Sequence, residues 1–323
     1  MYSVCAIFAQ NTTIMWLNFL WMIAGIALVL WGADRLTDGA VAIAERMHMS
    51  QIVIGLTIVA MGTSMPEFFV SLLSALKSTP DMAVGNVLGS NIFNSLLIVG
   101  CAALVAPMTI LKSTVKRDIP FAFVASWVLL MLCLDRHLSR IDAGVLFAMF
   151  LLYMYFTLKG AKQEPDESEE AQKNYSLPKS IFFLLLGLGC LVFGSNLFVD
   201  SATVIAKSMG VSDAVIGLTI IAGGTSMPEL ATSVVSARKG QSGIAIGNVL
   251  GSNVFNILMI LGITGLISPM QLKGITNLDL SMLIISMVML WLFSRTKYTI
   301  ARWEGALLTV VFLGYMSYLV AGA

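Results

Sequence analysis

Long apolar runs, separated by short polar breaks, cover most of the chain. Such runs are typical of membrane-spanning helices, because crossing the hydrocarbon core takes about 20 apolar residues. Gly, Pro and charged positions mark the breaks between them. The pattern predicts an all-α polytopic membrane protein with ten transmembrane helices, near residues 14–37, 51–77, 82–106, 119–134, 141–159, 179–206, 213–238, 243–267, 279–295 and 300–320.

One polar stretch is much longer than the other breaks. Residues 160–178 hold five carboxylates and two prolines, which predicts a flexible linker between two five-helix halves, 15–159 and 179–323. A regulatory metal-binding loop is the alternative interpretation of these carboxylates. Residues 1–14 lack the basic segment of a signal peptide and are interpreted as an N-terminal extension, with Met15 as an alternative start.

The two halves contain the same two motifs. Residues 55–67 (GLTIVAMGTSMPE) match residues 217–229 (GLTIIAGGTSMPE) at eleven of thirteen positions. Residues 85–94 (GNVLGSNIFN) match residues 247–256 (GNVLGSNVFN) at nine of ten, and both motifs recur at the same offset in residue number, 162. Because each half holds five predicted helices, an odd number, the second half enters the membrane from the opposite side. The sequence therefore predicts two inverted repeats.

The composition supports a membrane protein. The chain is 58% hydrophobic and 11% charged, against roughly 45–50% and about 25% in soluble domains. So few charges cannot coat a water-facing surface, and a net charge of +1 gives no basic field for nucleic acid. These values exclude an ordinary soluble enzyme and a nucleic-acid binder, and they predict lipid bilayer around the chain.

The basic residues predict the orientation. With ten spans, fourteen of the nineteen Lys and Arg residues fall on the side that holds the 160–178 loop, and five fall on the other side. Cytoplasmic loops carry an excess of Lys and Arg. We therefore expect the 160–178 loop in the cytoplasm and both termini outside.

Two carboxylates, Glu67 and Glu229, lie inside apolar spans at equivalent positions of the repeat. A charged side chain at the bilayer centre costs about 2.5–3.5 kcal/mol on insertion scales, so such acids usually mark functional sites. The alternative is a structural carboxylate held by backbone donors or by a Lys or Arg. Neither span interior contains a basic residue, which favours a functional role for both acids.

The residues around each glutamate provide further oxygen ligands. Proline at 66 breaks the helix, frees the carbonyl of Gly62 and strains that of Thr63 open. Freed carbonyls, hydroxyls and carboxylates are what hard cations such as Ca²⁺ require. Helical spacing places the predicted ligands of each half on one face; they are Ala60, Thr63, Ser64 and Glu67, and Ala222, Thr225, Ser226 and Glu229.

The second motif predicts a polar wall facing these ligands. Its polar residues recur every four positions as Asn86, Ser90 and Asn94, and they recur again at the repeat offset. Small residues beside them allow helices to approach closely. For the neighbouring asparagines, interhelical hydrogen bonding remains an equal alternative to ion binding. The members of this wall and its glycines are Asn86, Ser90, Asn91, Asn94, Asn248, Ser252, Asn253 and Asn256, with Gly85, Gly89, Gly247 and Gly251.

The duplicated GTSMPE and GNVLGSN motifs resemble the alpha-repeats of the calcium/cation antiporter superfamily, in its bacterial sodium/calcium exchanger branch. The resemblance covers the chain except its termini and the 160–178 loop. It implies exchange of three Na⁺ for one Ca²⁺ by alternating access in a bacterial inner membrane, by a monomer without an organic cofactor. Two outer helices would slide over a core that holds the ions.

The resemblance also implies individual roles. Glu67 and Glu229 would coordinate Ca²⁺ and serve Na⁺, and the carbonyls of Thr63 and Thr225 would add Ca²⁺ ligands. The remaining members would bind Na⁺ or line the central site; they are Ser64, Ser226, Ser90, Ser252, Asn94, Asn256 and the carbonyls of Ala60 and Ala222.

The sequence is also compatible with several alternatives. Some relatives, including the potassium-dependent exchangers, carry Asp where this chain has Asn256, so we do not expect potassium dependence. Coupling to H⁺, or another divalent cation, fits the same fold, and a cation channel also uses acidic residues. An intramembrane enzyme is disfavoured, because the two histidines and four cysteines are scattered and no HExxH motif occurs.

Overall fold

The computed structural model is largely helical and describes residues 2–160, 175–210, 216, 220 and 222–322. The helices up to residue 160 are α1 (Tyr2–Met47), α2 (Gln51–Ile54), α3 (Ala60–Thr63), α4 (Met65–Leu76), α5 (Pro80–Ile92), α6 (Val99–Val105), α7 (Lys112–Lys116), α8 (Asp118–Leu132) and α9 (Arg140–Gly160). Those from residue 175 are α10 (Leu177–Ser208), α11 (Ala222–Thr225), α12 (Met227–Arg238), α13 (Ser242–Val254), α14 (Leu261–Ile267), α15 (Asn277–Arg295) and α16 (Arg302–Gly322).

Short π-helical segments connect some of these helices without a turn. They are Gly55–Val59 between α2 and α3, Phe93–Ile98 between α5 and α6, and Phe255–Ile260 between α13 and α14. A π-helical segment widens the helix locally and frequently occurs at functional sites. Here Phe93–Ile98 and Phe255–Ile260 each begin one residue before an asparagine predicted to line the site.

Among the described residues, seven apolar helical stretches are long enough to cross a membrane, which confirms a mostly helical protein with many spans. They are Met15–Met47, Pro80–Val105, Arg140–Gly160, Leu177–Ser208, Ser242–Ile267, Asn277–Arg295 and Arg302–Ala321. The stretch from Gln51 to Leu76 would be an eighth, bent by 47° at its break. Of the two other predicted spans, 119–134 is the 15-residue helix Asp118–Leu132, and 213–238 lies partly outside the described residues.

The predicted first helix, 14–37, is wrong in its extent. The helix runs from Tyr2 to Met47 in the structure. The predicted span ends just before Asp38, but in the structure Asp38 is buried and paired with Lys239 from the other half. A partner distant in sequence thus keeps the charge inside the helix.

Helices α1 and α10 pack along each other through glycines. A Cβ atom at Gly25 would lie 2.8 Å from the carbonyl oxygen of Gly194, and one at Gly187 would lie 2.7 Å from that of Gly32. Only glycine permits backbones to approach this closely. We call these two helices the outer pair.

Two short strand pairs join loops of the two halves. Strand β1 (Met108–Thr109) pairs antiparallel with β4 (Thr299–Ile300), and β2 (His137–Leu138) pairs with β3 (Met270–Gln271). The two registers are related by the repeat offset. Met108 faces Ile300, and their equivalents in the opposite halves, Met270 and Leu138, face each other. Exchanging the two halves therefore leaves the strand pairing unchanged.

These pairs mark the two ends of the helix bundle. Strand β1 contacts α13, which begins just after Lys239. Strand β3 contacts α5, which begins just after Lys77, and Ser268 donates a hydrogen bond to the carbonyl of Ala75 at 3.4 Å. We call them the Lys239 end and the Lys77 end. Between them lies a core of buried aliphatic and aromatic side chains, including Leu56, Leu88, Leu250 and Phe255.

Candidate ion-binding site

Each half contains a helix broken at the serine of its TSMPE motif. Helix α3 ends at Thr63 and α4 starts at Met65, with Ser64 between them at φ −82°, ψ 5°. Ser226 takes nearly the same conformation, φ −89°, ψ 7°, between α11 and α12. The proline that follows lacks an N–H and cannot bond back to the previous turn. The structure thus places each predicted break at the serine of its motif.

The two breaks meet inside the bundle, and each serine contacts the glutamate of the other half. The Ser64 hydroxyl donates to Glu229 Oε1 at 3.0 Å, and the Ser226 hydroxyl donates to Glu67 Oε1 at 3.0 Å. Both glutamates are at most 1% exposed. Each also lies in the first turn of its helix, where the helix dipole favours a negative charge.

The serines of the second motif complete this centre. Ser252 donates to Glu229 Oε1 at 3.4 Å, and the Ser90 hydroxyl lies 3.1 Å from that of Ser226. Both side chains are buried. The four serines and two carboxylates therefore form two hydrogen-bonded groups, Ser64–Glu229–Ser252 and Ser90–Ser226–Glu67, each with residues from both halves.

Four oxygen atoms of this region are buried and have no hydrogen-bond partner among the described residues. They are the second carboxylate oxygens of Glu67 and Glu229 and the amide oxygens of Asn94 and Asn256. Burying an acceptor without a partner costs free energy, and such groups call for an explanation. Carboxylate and amide oxygens are also what hard cations bind. The donor set therefore fits Na⁺ or Ca²⁺.

The asparagine amides are held by their nitrogen atoms. Asn94 Nδ2 donates to Asn253 Oδ1 at 3.1 Å, and Asn256 Nδ2 donates to Asn91 Oδ1 at 3.0 Å. These contacts are related by the repeat offset. They direct the amide oxygens of Asn94 and Asn256 away from the bonded neighbours and leave them available as acceptors.

Within the described parts of the chain, neither Glu67 nor Glu229 is paired with a basic residue. None of the ion pairs formed within the described parts of the chain includes Glu67 or Glu229; they involve Asp34, Asp38 and Asp118 instead. Those parts also contain no group of three His, Cys, Asp or Glu residues that could hold a metal. A cation here would rely on two carboxylates and on neutral oxygens.

The threonines and alanines lie beside this centre. Thr63 is buried, and its hydroxyl contacts Asn248 Oδ1 at 3.0 Å and the carbonyl of Ala60 at 3.3 Å. The Ala60 carbonyl also accepts from the Ser64 N–H at 3.0 Å. In the second half, Ala222 and Thr225 are the first and last residues of α11, as Ala60 and Thr63 are of α3.

Other polar residues of the motifs hold the helices together. Asn86 Nδ2 donates to the carbonyl of Glu67 at 3.2 Å and to Ser71 at 3.0 Å. Asn248 makes the same two contacts with Glu229 and Ser233, at 3.3 and 3.0 Å. For this pair the structure supports the hydrogen-bonding alternative. Ser71 and Ser233 are not among the site residues predicted from the sequence. They occupy equivalent positions of the two repeats, which would have been a reason to include them.

The glycines of the second motif behave differently in the two halves. A Cβ atom at Gly251 would lie 2.7 Å from the carbonyl oxygen of Leu56, as expected for closely packed helices. Its equivalent, Gly89, has no atom within 4 Å of the same position. Instead, Gly85 and Gly89 line a cavity of 530 Å³ at the Lys77 end, together with Leu88, Phe93, Gly223, Ile275 and Phe312. The expected close approach is therefore wrong for Gly85 and Gly89 in this structure.

Comparisons with known proteins place the chain among exchangers of this kind. A family model described as sodium/calcium exchanger protein matches residues 17–159 and 179–321. The inner membrane protein YrbG of Escherichia coli is 37% identical over 309 residues, which cover 92% of this chain and 95% of YrbG. The sodium/calcium exchanger MaX1 of Methanosarcina acetivorans is 31% identical, with 93% of this chain and 97% of MaX1 covered. A solved structure of the sodium-calcium exchanger NCX_Mj, soaked with Na⁺ and Ca²⁺, aligns with a TM-score of 0.83 at 31% identity, over 93% of this chain and 98% of NCX_Mj.

Proposed function

The chain belongs to the sodium/calcium exchanger protein family, whose members are transporters and not enzymes, and from this premise we propose that it exchanges Na⁺ for Ca²⁺ across the membrane by alternating access. The observation that carries the proposal is the set of four unpartnered, buried oxygens from Glu67, Glu229, Asn94 and Asn256. They come equally from both halves, as a site reached from either side requires.

The proposed ligands follow from this centre. Glu67 and Glu229 coordinate Ca²⁺ with the carbonyls of Thr63 and Thr225, and the same carboxylates take part in binding Na⁺. Each carboxylate already contacts serine hydroxyls at 3.0–3.4 Å, so those hydroxyls can turn their oxygen to a bound cation. The other proposed ligands are Ser64, Ser226, Ser90, Ser252, Asn94, Asn256 and the carbonyls of Ala60 and Ala222.

The charge of the site makes the exchange electrogenic under the stoichiometry of three Na⁺ for one Ca²⁺. Two carboxylates neutralise one Ca²⁺, whereas three Na⁺ leave a net charge of one. Only the Na⁺-loaded site then carries charge across the membrane. Without ions the two carboxylates repel each other, which disfavours movement of the empty site and couples the two fluxes.

The architecture we propose is ten helices in two inverted halves, 15–159 and 179–323. Its support is the direction of equivalent helices: α5 begins at the Lys77 end and α6 finishes at the Lys239 end, whereas α13 begins at the Lys239 end and α14 finishes at the Lys77 end. The excess of basic residues makes the Lys239 end and the 160–178 loop cytoplasmic, with both termini outside. YrbG, named an inner membrane protein, supports the same membrane here, and the site within one chain is compatible with a functional monomer.

The test is Ca²⁺ flux into vesicles that contain the purified protein. Vesicles loaded with Na⁺ and diluted into Na⁺-free buffer should accumulate ⁴⁵Ca²⁺, and an imposed K⁺ gradient should have no effect. Uptake driven by a pH gradient without Na⁺ would establish H⁺ coupling instead. Passive Ca²⁺ entry without any counter-ion, at rates far above carrier turnover, would establish a channel.

A further inference from the structure

A cluster of charges outside the ion-binding site joins the two halves at the Lys239 end. Lys239 Nζ lies 2.5 Å from Asp34 Oδ1 and 2.8 Å from Asp38 Oδ1, and it also donates to the carbonyl of Asp34 at 3.0 Å. Arg35 forms an ion pair with Asp34 and lies 3.7 Å from Asp38. The Asp38 side chain is only 5% exposed, so it pairs with Lys239 in the protein interior and not at its surface.

This cluster connects the outer pair to a helix of the ion-binding site. Asp34 and Asp38 belong to α1, and Lys239 follows α12, which carries Glu229. Next to the cluster the Thr37 and Ser236 hydroxyls are 3.0 Å apart, and both are buried. The contact therefore closes the space between the outer pair and α12 at this end.

The repeat contains a counterpart that is not formed. Subtracting the repeat offset from Lys239 gives Lys77, and adding it to Asp38 gives Asp200. Asp200 lies on α10 of the outer pair, and Lys77 follows α4, which carries Glu67. Both side chains are exposed, and no ion pair within the described part of the chain includes either of them.

The open cavity lies at the same end as this unformed pair. It is lined by Gly85 and Gly89, which follow Lys77, and by Gly223 of α11. At the Lys239 end the equivalent glycines, Gly247 and Gly251, are packed against the backbone of Ile52 and Leu56. One end thus has a formed ion pair and tight packing, and the other has neither.

We propose that Lys239–Asp38 and Lys77–Asp200 are alternative ion pairs, each formed when its own end of the molecule closes. The four residues position the outer pair against the core. They set the fraction of molecules that is open to each side of the membrane. The Lys239 end gains extra stability from Asp34 and Arg35, whose counterparts are the uncharged Asn196 and Leu197. The proposal rests on the alternating access of the proposed function, and it adds the residues that bias it.

Cysteine cross-linking tests the unformed pair directly. In a chain with its four cysteines replaced by serine, Lys77→Cys and Asp200→Cys would be introduced together and cross-linked in vesicles with a short thiol-specific reagent. We expect a cross-link within single chains. Its rate should rise roughly fivefold when Asp38→Asn and Lys239→Gln are added, because losing a charge pair shifts a two-state population by about that factor.

Three controls keep the result interpretable. The paired substitutions remove both charges, so no buried carboxylate is left alone, and monodisperse elution of the purified variant checks its fold. Arg238→Gln removes one exposed positive charge beside Lys239 and should leave the rate unchanged. Asp38→Asn alone should give a smaller increase than the paired variant, because Lys239 keeps its ion pair with Asp34.

Two outcomes would overturn the proposal. One is the absence of any Lys77→Cys/Asp200→Cys cross-link with Na⁺, with Ca²⁺ and without both. The other is an equal increase from Arg238→Gln. Cross-linking does not measure transport, so a protein that cross-links as expected but shows no Na⁺-driven Ca²⁺ uptake would contradict only the coupling ion of the proposed function.

Discussion

At the scale of single residues, the two glutamates are the charged groups of the candidate site. Glu67 and Glu229 are buried, each has one oxygen bonded to serine and one without a partner, and no basic residue of the described chain pairs with them. A buried carboxylate without a partner is costly, and a bound cation removes that cost. The second oxygens are therefore the atoms that the proposed ion binding depends on most directly.

Substituting either glutamate should abolish exchange while the fold is kept. Glu67→Gln and Glu229→Gln preserve size and hydrogen bonding but remove one of the two charges. We expect Na⁺-driven ⁴⁵Ca²⁺ uptake to fall by about a hundredfold or more, the loss of roughly 3 kcal/mol of ion stabilisation. Glu45→Gln, at an exposed position near the end of α1, is the matched control and should transport normally. Near-normal uptake by either site variant would contradict the assignment.

The residue at position 256 should determine whether the Ca²⁺-loaded site carries a net charge across the membrane. With two carboxylates the Ca²⁺-loaded site is neutral, so Ca²⁺/Ca²⁺ exchange should not respond to membrane potential. Asn256→Asp puts a third carboxylate where an amide oxygen is unpartnered, which leaves the Ca²⁺-loaded site with one negative charge. Its Ca²⁺/Ca²⁺ exchange should become voltage-dependent, whereas Asn256→Ala should exchange more slowly but without voltage dependence. Voltage-independent exchange by Asn256→Asp would show that residue 256 is not at the ion.

At the scale of helices, the equivalent glycines Gly89 and Gly251 have the same sequence context but different surroundings. Gly251 lies against the backbone of Leu56, and Gly89 faces open space. Overpacking a close contact costs typically about 1–3 kcal/mol. Substitutions at these two positions can therefore separate effects on stability from effects on the conformational change.

Alanine should lower stability at Gly251 but not at Gly89. Gly251→Ala should lower the thermal unfolding midpoint by several degrees, because its methyl group meets the Leu56 carbonyl. Gly89→Ala should leave the midpoint unchanged but reduce Ca²⁺ uptake about tenfold, since closing the Lys77 end brings a neighbour to this position. Equal stability and equal transport in both variants would contradict the difference between the two ends.

Some features of these helices could be predicted from the sequence, and others could not. The breaks at Ser64 and Ser226 were predictable, because the proline two residues later has no N–H and cannot bond back to the previous turn. The extent of α1 was not, because Asp38 is stabilised by Lys239, which belongs to the other half of the chain. The packing at Gly89 was not either: identical motifs predict identical packing, and the difference belongs to the conformation and not to the sequence.

At the scale of the whole molecule, contacts repeat with the halves exchanged. The Ser64–Glu229 and Ser226–Glu67 contacts, the asparagine contacts and the strand registers obey the repeat offset. The ion pair at Lys239 and the cavity at the Lys77 end do not. The proposed ligands thus lie in the symmetric part, and the asymmetric part distinguishes one end of the helix bundle from the other.

The orientation of these ends can be tested by labelling from one side. Ser78→Cys lies at the Lys77 end and Thr296→Cys at the Lys239 end, and both positions are exposed. A membrane-impermeant maleimide should label Ser78→Cys in intact spheroplasts of cysteine-free protein, and Thr296→Cys only after permeabilisation, because the more basic end stays in the cytoplasm. Labelling in the reverse order would invert the orientation, and the cavity of this structure would then open to the cytoplasm. Labelling of both positions in intact spheroplasts would mean that the two ends lie on the same side, which the inverted arrangement forbids.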